Sequence, residues 1–431
     1  MGLLGFTSAA FVRPHLGQSR LRAYQLKKIQ SLVRHAMGNV PFYRDLYTKA
    51  GITPEDIRTL EDVSRLPIID KRKLWALHPP LPKRDDLIIH RTSGSTGTPV
   101  HIYRSTAEER GYNMLRWRML LSTGLRPGDR LAKVKATWET LPRRFEMLGG
   151  LASKLGLVEP RVFDCFQPPA ETLAQLVEFQ PHILTSYPGV LVKIALLLSG
   201  QDRVLDGLRK IYCGGESMSL HQRRILEESF RVPICNTYGT TECSLTAWEC
   251  PESGHYHVCD DGVFVEICRD GHAVRPGQSG EVVITALHSR VMPLIRYRLG
   301  DIAVAGQGPC SCGSAFSTIE SLQGRVLDYL QLPDGRQMHP FQFLNEIVLA
   351  SGNWISEYQV VQDSLAAVRL KIVPRREVSA AEAGHLRSAL EQELGTGVAV
   401  RIEWVNDIAC DASGKFHFCR SLISEDAGNL P

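Results

Sequence analysis

The sequence predicts an α/β protein: a large N-terminal domain with a doubly wound sheet and a small β-subdomain, followed by a small α+β C-terminal lid domain. Three observations lead to this prediction. Helix-like and strand-like segments alternate between residues 106 and 242, short strands separated by Gly/Pro turns follow, and the pattern changes again after Gly324. A chain of 431 residues can bury a large core and is expected to contain at least two domains.

The alternating region supplies the elements of the predicted sheet. Residues 18–51 are amphipathic with helical periodicity, and residues 87–89 are strand-like. The helix-like segments that follow are 107–121, 170–178, 190–198 and 220–230, and the strand-like ones are 131–136, 182–186, 208–213 and 232–236. Strands separated by helices form mainly parallel sheets, which bind ligands at the carboxyl ends of the strands.

Beyond Glu242 the elements are short strands. Segments 263–267 and 281–284, separated by Gly/Pro turns, predict a small antiparallel sheet or barrel over about 244–323. After Gly324-Arg325 the pattern is that of short strands and two helices, which is consistent with a small α+β domain. We therefore divide the chain into domains 1–325 and 326–431.

Composition excludes several classes of protein. Lysine and arginine total 50 and aspartate and glutamate 46, without a basic run, which argues against nucleic acid as a partner. The first residues lack the pattern of a signal peptide, and the apolar stretch 183–198 is interrupted by Pro188 and Lys193, so no membrane partner is predicted. We expect a cytoplasmic location, where clustered cysteines among the eleven are more often metal ligands than disulfides.

The segment TSGSTGTP at 92–99 combines glycines with hydroxyl side chains. Glycines let backbone N–H groups approach an anion, and hydroxyls add donors, so the segment is suited to phosphate. It is not the P-loop of nucleoside triphosphatases, because no lysine follows the second glycine and residues 100–103 alternate like a strand. A hairpin that binds phosphate at its tip and an ordinary polar turn both fit this segment alone.

Three further motifs stand out. YCGGE at 212–216 ends a predicted strand in glycines, YGTTE at 238–242 follows a predicted strand, and YRLGD at 297–301 places a carboxylate after a glycine turn. Each alone is typical of a turn. With TSGSTGTP, YGTTE, PLIRYRLGD, GRVLD and SGKFHF in this order, the chain resembles the adenylate-forming ligases, and within them the phenylacetate–CoA ligase and coenzyme F390 synthetase-like branch. The resemblance covers nearly the whole chain. It implies that a carboxylic acid attacks the α-phosphate of ATP to give acyl-AMP and pyrophosphate, and that a thiol then displaces AMP.

The resemblance also implies the nucleotide site. It assigns the β- and γ-phosphates to Thr92, Ser93, Gly94, Ser95, Thr96 and Gly97. It assigns adenine, ribose and the remaining nucleotide contacts to Gly214, Gly215, Glu216, Asn236, Tyr238, Gly239, Asp301 and Arg325. By the same resemblance Thr241 binds the α-phosphate and Glu242 coordinates Mg²⁺, a cation that prefers carboxylate and phosphate oxygens.

Two residues of the C-terminal part match functional positions of the family. Lys415 matches the C-terminal lysine, whose ammonium group can bridge the attacking carboxylate and the α-phosphate. Asp328 matches the hinge about which the lid domain, 326–431, changes orientation between the two half-reactions. Each also has an ordinary interpretation, Lys415 as a solvated surface charge and Asp328 as a turn residue.

The cysteines indicate a separate metal site. Cys310 and Cys312 form a tight knuckle before a glycine, and Cys250 and His257 lie in the preceding strand region. Three thiolates and one imidazole would complete a tetrahedral zinc shell with no open position, which is typical of a structural site. His255 and Cys259 are competing ligands, and cysteines without metal are the alternative.

The acid substrate is less well defined. The loop KATWETLPRRFEMLGGL falls where the family builds its acyl pocket, so Trp138, with Tyr187 and Asn236, could face an aromatic ring. This loop and GGES depart from the forms found in dedicated phenylacetate ligases. We expect an aryl or arylalkyl acid and coenzyme A; an amine or a carrier-protein thiol is the alternative acceptor. A nucleotide-binding zinc protein without turnover is an alternative of another class. A homodimer is compatible with the sequence.

Overall fold

A computed structural model describes residues 13–15, 17–77, 86–91, 100–136, 153, 156–199, 205–325, 329–338, 344, 346–348, 350–352, 354–411 and 415–423. Its α-helices are α1 Gln18–Asn39, α2 Pro41–Lys49, α3 Lys71–Leu77, α4 Thr106–Ser122, α5 Pro169–Phe179, α6 Pro188–Ser199, α7 Leu220–Phe230 and α8 Ala380–Leu394. Short 3-10 helices span Arg13–His15, Pro54–Asp56 and Glu61–Arg65.

The strands of these described ranges fall into four sheets. They are β1 Leu87–Arg91, β2 His101–Ser105, β3 Asp129–Lys135, β4 Val158–Asp164, β5 Ile183–Ser186, β6 Lys210–Gly214, β7 Ile234–Thr240, β8 Ser244–Glu249, β9 Tyr256–Val258, β10 Val263–Arg269, β11 His272–Ala273, β12 Ser279–Ala286, β13 Tyr297–Ala305, β14 Thr318–Arg325, β15 Leu330–Gln331, β16 Gln337–Met338, β17 Ile355–Ser364, β18 Ala367–Pro374, β19 Ala399–Trp404 and β20 Cys419–Ser421.

The largest sheet has twelve strands in the order β11-β10-β12-β13-β14-β9-β8-β7-β6-β5-β3-β4. Strands β4, β3, β5, β6 and β7 are parallel, as the alternating pattern predicts. Strands β8 to β14 are antiparallel, as predicted, but they do not form a separate sheet or barrel. Because β8 turns back and pairs with β7, the antiparallel strands extend the parallel sheet.

Helices cover both faces of the parallel strands, so the predicted doubly wound arrangement is confirmed. Successive strand residues point to opposite faces: Leu131 belongs to the core under α1, α2 and α4, whereas Ala132 belongs to the core under α5, α6 and α7. Strand β4 was missed in the sequence. It contains Pro160 and lies at the end of the strand order, the position where a sheet tolerates a residue without an N–H donor.

The C-terminal part forms its own four-stranded sheet, in the order β19-β18-β17-β20. Helix α8 packs against it through Leu386, Leu390 and Leu394, one turn apart, and begins with a capping box made by Ser379 and Glu382. Helix α8 is one of the two helices predicted here, and residues 346–348 are also helical. No helix in the described ranges is long and apolar enough to cross a membrane.

Candidate active site at the carboxyl ends of the parallel strands

The carboxyl ends of β5, β6 and β7 lie side by side at one edge of the sheet. A Cβ on Gly214 would lie 2.3 Å from Thr237 Oγ1 and 2.8 Å from the Thr237 carbonyl oxygen, so only glycine fits between β6 and β7. Gly215 has φ +83°, and a Cβ there would lie 3.0 Å from the Tyr187 ring. The YCGGE segment therefore brings bare backbone to this edge, next to an aromatic side chain.

Glu216 follows the two glycines and connects the large sheet to the C-terminal part. Its Oε2 accepts a hydrogen bond from the Gly189 backbone N–H at the start of α6 (3.0 Å), and its Oε1 accepts one from the Phe416 N–H (2.6 Å). Burial raises the pKa of Glu216 to about 7, although both N–H groups and Lys415 favour the charged form. The resemblance assigns this residue to the nucleotide, and the contact with Phe416 had no signal in the sequence.

Lys415 approaches the same edge from the C-terminal part. Its Nζ lies 5.9 Å from the centre of the Tyr187 ring, and its Cε is 3.6 Å from the position of a Cβ on Gly215. Asp411 shapes the segment around it: the Asp411 carboxylate accepts the Lys415 N–H (3.0 Å), and His417 Nε2 lies 2.7 Å from Asp411 Oδ2. The structure thus brings together four predicted site residues from three separate stretches of the sequence: Tyr187, Gly215, Glu216 and Lys415.

The YGTTE and YRLGD motifs meet beside this edge. The Tyr238 hydroxyl donates to Asp301 Oδ2 (2.5 Å), and Arg325 Nε lies 3.4 Å from Asp301 Oδ1. The pairing of β13 with β14 sets Asp301 opposite Arg325. Burial raises the pKa of Asp301, and the Arg325 charge acts against this increase. One carboxylate therefore joins an aromatic ring and a guanidinium in a single cluster.

Glu242 is a buried acid of the turn between β7 and β8, with a side chain that hydrogen bonds to Tyr297. Burial raises its pKa, while the charges of Arg325 and Arg104 lower it. A buried carboxylate of this kind is suited to a hard cation, because a cation would stabilise its charged form. Thr241 precedes it, and its carbonyl accepts a hydrogen bond from Arg104 Nη2 (2.5 Å).

The remaining predicted residues have different positions. Asn236 is buried, and its side-chain N–H donates to the Tyr256 hydroxyl (2.7 Å). Gly239 lies opposite Leu245 in the ladder between β7 and β8. Thr92, Ser93, Gly94, Ser95, Thr96, Gly97, Trp138 and Asp328 lie outside the described residues. The strands on either side of 92–99 do form the predicted antiparallel hairpin, with Arg91 opposite His101.

The four cysteine and histidine residues of the predicted zinc site form one cluster. Their ligand atoms all lie within 4.8 Å of one another, with 3.2 Å between His257 Nε2 and Cys312 Sγ and 3.7 Å between Cys310 Sγ and Cys250 Sγ. These separations fit donors arranged around one tetrahedral ion. Cys259 lies outside this cluster, since its Sγ accepts a hydrogen bond from Arg118 (3.4 Å). His255 is also not among the clustered ligands.

Comparison with known proteins identifies the family. The profile described as AMP-binding enzyme matches residues 19–289, and that of the CapK C-terminal domain matches residues 332–421. A phenylacetate-coenzyme A ligase of Thermus thermophilus is 27% identical over 371 residues, which cover 83% of this chain and 82% of that protein. An indoleacetate–lysine synthetase of Pseudomonas savastanoi is 24% identical over 292 residues, 66% of this chain and 68% of that protein.

Solved structures share the fold. A 2-hydroxyisobutyryl-CoA ligase in the postadenylation state superposes with a TM-score of 0.80 at 22% identity, covering 95% of this chain and 91% of that one. The same ligase in the thioesterification state gives a TM-score of 0.65 with the same coverage. Because the first family profile matches well over half of the sequence, the chain belongs to the AMP-binding enzyme family, as an AMP-forming ligase of the phenylacetate–CoA ligase-like branch.

Proposed function

We propose that this protein activates an aryl or arylalkyl carboxylic acid as acyl-AMP, with release of pyrophosphate, and transfers the acyl group to the thiol of coenzyme A. The observation that supports this most directly is the position of Lys415. A flexible ammonium from the C-terminal part lies at the carboxyl ends of β5 and β6, beside the glycines of the YCGGE segment. A lysine that is only a solvated surface charge would not be expected at this position.

The residues around Lys415 suggest a division of roles. Gly214 and Gly215 would contact adenine with bare backbone, and the Asp301 carboxylate would accept the ribose hydroxyls. The Lys415 ammonium would stabilise the negative charge that develops as the acid carboxylate attacks the α-phosphate. The Thr241 hydroxyl would bind that phosphate, and Glu242 would hold Mg²⁺, which neutralises phosphate charge when bound.

We infer that residues 326–431 act as a lid and that the orientation described belongs to the adenylation half-reaction. The higher TM-score with the postadenylation state than with the thioesterification state of the same ligase supports this orientation. Contacts of the lid with the large domain also support it: His221 Nε2 lies 3.0 Å from the Ile355 carbonyl, and Lys193 Nζ lies 2.6 Å from Asp407 Oδ1. A change of orientation that breaks these few bonds would give the thiol access.

An amine is the second candidate for the acyl acceptor. The similarity to an indoleacetate–lysine synthetase supports this alternative, because that relative is named for the joining of an aryl-acetic acid to an amine. The preference for an aromatic acid rests on the buried Tyr187 ring next to Lys415, which offers a flat apolar surface to the acid. A carrier-protein thiol is the third acceptor to test.

We further propose that Cys250, His257, Cys310 and Cys312 hold one structural zinc ion. All four positions of a tetrahedral shell would be occupied by protein atoms, so the ion would have no place for a reacting water. Its contribution would be to the stability of the sheet next to the nucleotide motifs.

A pyrophosphate-release screen across aryl, arylalkyl and short aliphatic acids tests the proposed reaction. Each acid is assayed with Mg·ATP alone, with added coenzyme A, and with added lysine. We expect release with at least one aromatic acid, and AMP and thioester formation only with coenzyme A. Amide formation with lysine would favour the second acceptor. Absence of pyrophosphate with every acid would contradict the proposed function.

A further inference from the structure

Phe416, the residue after Lys415, contacts the large domain where α6 begins. Its backbone N–H donates to Glu216 Oε1 (2.6 Å), and the other oxygen of the same carboxylate accepts the Gly189 N–H (3.0 Å). Gly189 is the second residue of α6, and Glu216 lies two residues after the end of β6. One buried carboxylate therefore joins the C-terminal part to a helix start and a strand end of the large domain.

Gly189 provides the space that this contact needs. A Cβ on Gly189 would lie 2.8 Å from Phe416 Cβ and 3.3 Å from Glu216 Oε2, whereas nonbonded carbon atoms are best separated by about 3.5–4.0 Å. Phe416 Cβ is bonded directly to the backbone, so rotation of the Phe416 ring could not relieve this overlap. A side chain at position 189 would therefore displace the backbone of residue 416.

The backbone of Phe416 is coupled to that of Lys415. The N–H that Glu216 accepts belongs to the planar peptide group between Lys415 and Phe416, so the bond also fixes the base of the Lys415 side chain. On the other side, the Asp411 N–H donates to the Lys415 carbonyl (2.8 Å), and the Asp411 carboxylate accepts the Lys415 N–H. The Asp411 bonds lie within the C-terminal part, so they do not set the place of Lys415 relative to the strand ends of the large domain.

We propose that Gly189 and Glu216 are positioning residues for Lys415: Glu216 holds the peptide group that follows Lys415, and Gly189 leaves room for Phe416. Together they set where the Lys415 ammonium lies at the carboxyl ends of the parallel strands. This inference rests on the proposed function, in which Lys415 acts in acyl-AMP formation and not in transfer to the thiol. A change at Gly189 should therefore impair only the first half-reaction.

Gly189→Ala tests this inference first without nucleotide or acid. Alanine is a better helix former than glycine, so the change should not destabilise α6. At a single pH, hydrogen–deuterium exchange of the 415–423 segment should be about 10-fold faster than in the wild type, a size typical of an overpacked contact. Exchange of 210–214, in β6, should not change. Gly384→Ala is the matched control, because a Cβ on Gly384, in helix α8, would have no atom within 4 Å.

Two variants of Phe416 show whether its Cβ causes the effect. Phe416→Gly removes this atom, so adding Gly189→Ala to it should change exchange of 415–423 less than about threefold. Phe416→Ala loses the same ring but keeps Cβ, so Gly189→Ala should retain its full effect there. If the Phe416 variants do not fold, Glu216→Asp replaces them. Its carboxylate is one methylene shorter and cannot reach both N–H groups, so exchange of 415–423 should again be faster.

The half-reactions are then measured with an acid that supports pyrophosphate release. Gly189→Ala should lower the rate of acyl-AMP formation about 10-fold, because a displaced catalytic group loses its alignment, and should leave thioester formation from supplied acyl-AMP nearly unchanged. Unchanged exchange in Gly189→Ala, the same increase in Gly384→Ala, a full effect in the Phe416→Gly background, or equal losses in both half-reactions would overturn the inference. Wild-type protein that releases no pyrophosphate with any acid would instead overturn the proposed function, and with it the role of Lys415.

Discussion

Two clusters of chemically reactive side chains differ in how they are held. The Cys250–His257–Cys310–Cys312 cluster lies at one region of the large sheet: His257 is on β9, which pairs with β8 on one side and β14 on the other, and the three cysteines lie in the loops that follow β8 and β13. The candidate active site instead combines residues of the large sheet with Lys415 from the C-terminal part. The first is held by neighbouring strands and loops of one sheet, and the second depends on how two parts of the chain dock.

Because of this difference, we expect the cysteine cluster to affect the stability of the fold and the candidate active site to affect the reaction. The ligand atoms of the cysteine cluster are within reach of one another wherever the C-terminal part lies, so we expect metal binding to act on folding. Lys415 reaches the strand ends through a few polar contacts, including the Phe416 N–H bond to Glu216. Changes there should alter one half-reaction and leave the fold intact.

The largest expected effect is that of Lys415→Ala. Removal of the ammonium should lower the rate of acyl-AMP formation about 10³-fold, the size found when one preorganised electrostatic group is lost from a transition state. A pre-made acyl-AMP should still react with coenzyme A, because Lys415 is assigned only to the first step. Pyrophosphate release and thioester formation from supplied acyl-AMP are measured separately.

Lys193→Ala is the control for Lys415→Ala, since Lys193 also crosses to the C-terminal part, through its ion pair with Asp407. It should affect both half-reactions slightly. Equal losses in both half-reactions of Lys415→Ala, or no loss in either, would refute the role of Lys415.

Next in size is the effect of Cys310→Ser. We expect wild-type protein to contain about one zinc per chain and the variant to lose it. Because metal binding energy becomes folding energy in a closed site, the unfolding free energy should fall by on the order of 4 kcal/mol. Elemental analysis and urea unfolding measure the two quantities.

Cys165→Ser, which changes a half-buried thiol outside the cluster, provides the control for Cys310→Ser. The activity of Cys310→Ser should decline only as far as its folded fraction does. Metal-free wild-type protein of full stability would exclude a structural metal. A metal-depleted protein that stays folded and binds ATP, but cannot form acyl-AMP, would indicate a catalytic ion instead.

A smaller effect is expected for Asp301→Ala. The change removes the acceptor for Tyr238 and the partner of Arg325, and with them the proposed ribose contacts. KM for ATP should rise about 10-fold, as for one hydrogen bond to a charged group, and KM for the acid should stay nearly unchanged. Glu281→Ala, which breaks a pair with Arg298 on the same sheet and whose carboxylate is more exposed than that of Asp301, should alter neither. An unchanged ATP dependence in Asp301→Ala would remove Asp301 from the site.

The sequence was sufficient where a local rule decides the structure. Helix α7 has the predicted limits 220–230, because Ser219 and Gln222 form a capping box at its start and its buried residues recur at helical spacing. The pairing of β8 with β7 was not predictable in the same way, since periodicity shows which face of a strand is buried but not its neighbour. The sequence therefore did not predict that the antiparallel strands join the parallel ones in one twelve-stranded sheet.

The same limit applies to the candidate site. Lys415 and Asp301 belong to recognisable motifs, so they could be proposed from the sequence. Arg104 could not, because an arginine on a strand has no motif and its partner Thr241 is 137 residues away. The Phe416 contact of Glu216 is likewise created only by the docking of two parts of the chain.

The smallest predicted effect concerns the pH dependence of this docking. In the docked state burial raises the pKa of Glu216 to about 7, from the 4.5 of an exposed glutamate. The charged groups that face it come from the C-terminal part: Lys415 favours the carboxylate and Asp411 opposes it, while the Cys410 thiol also lies nearby. Because the docked state binds a proton more tightly, docking is favoured at low pH and weakens as pH rises through about 7.

Glu357 should add to this pH dependence, since burial also raises its pKa to about 7, with Lys193 acting in the opposite direction. Between pH 4.5 and about pH 7, hydrogen–deuterium exchange of the 415–423 segment, corrected for intrinsic rates, should therefore become faster as the pH rises. In Glu216→Gln the amide keeps at most one of the two backbone hydrogen bonds, so exchange should be faster overall but less dependent on pH. In the double variant with Glu357→Gln, exchange should be nearly independent of pH. Wild-type exchange that slows as pH rises would show that the charged carboxylate, with its two N–H bonds, is the form that holds the C-terminal part in place.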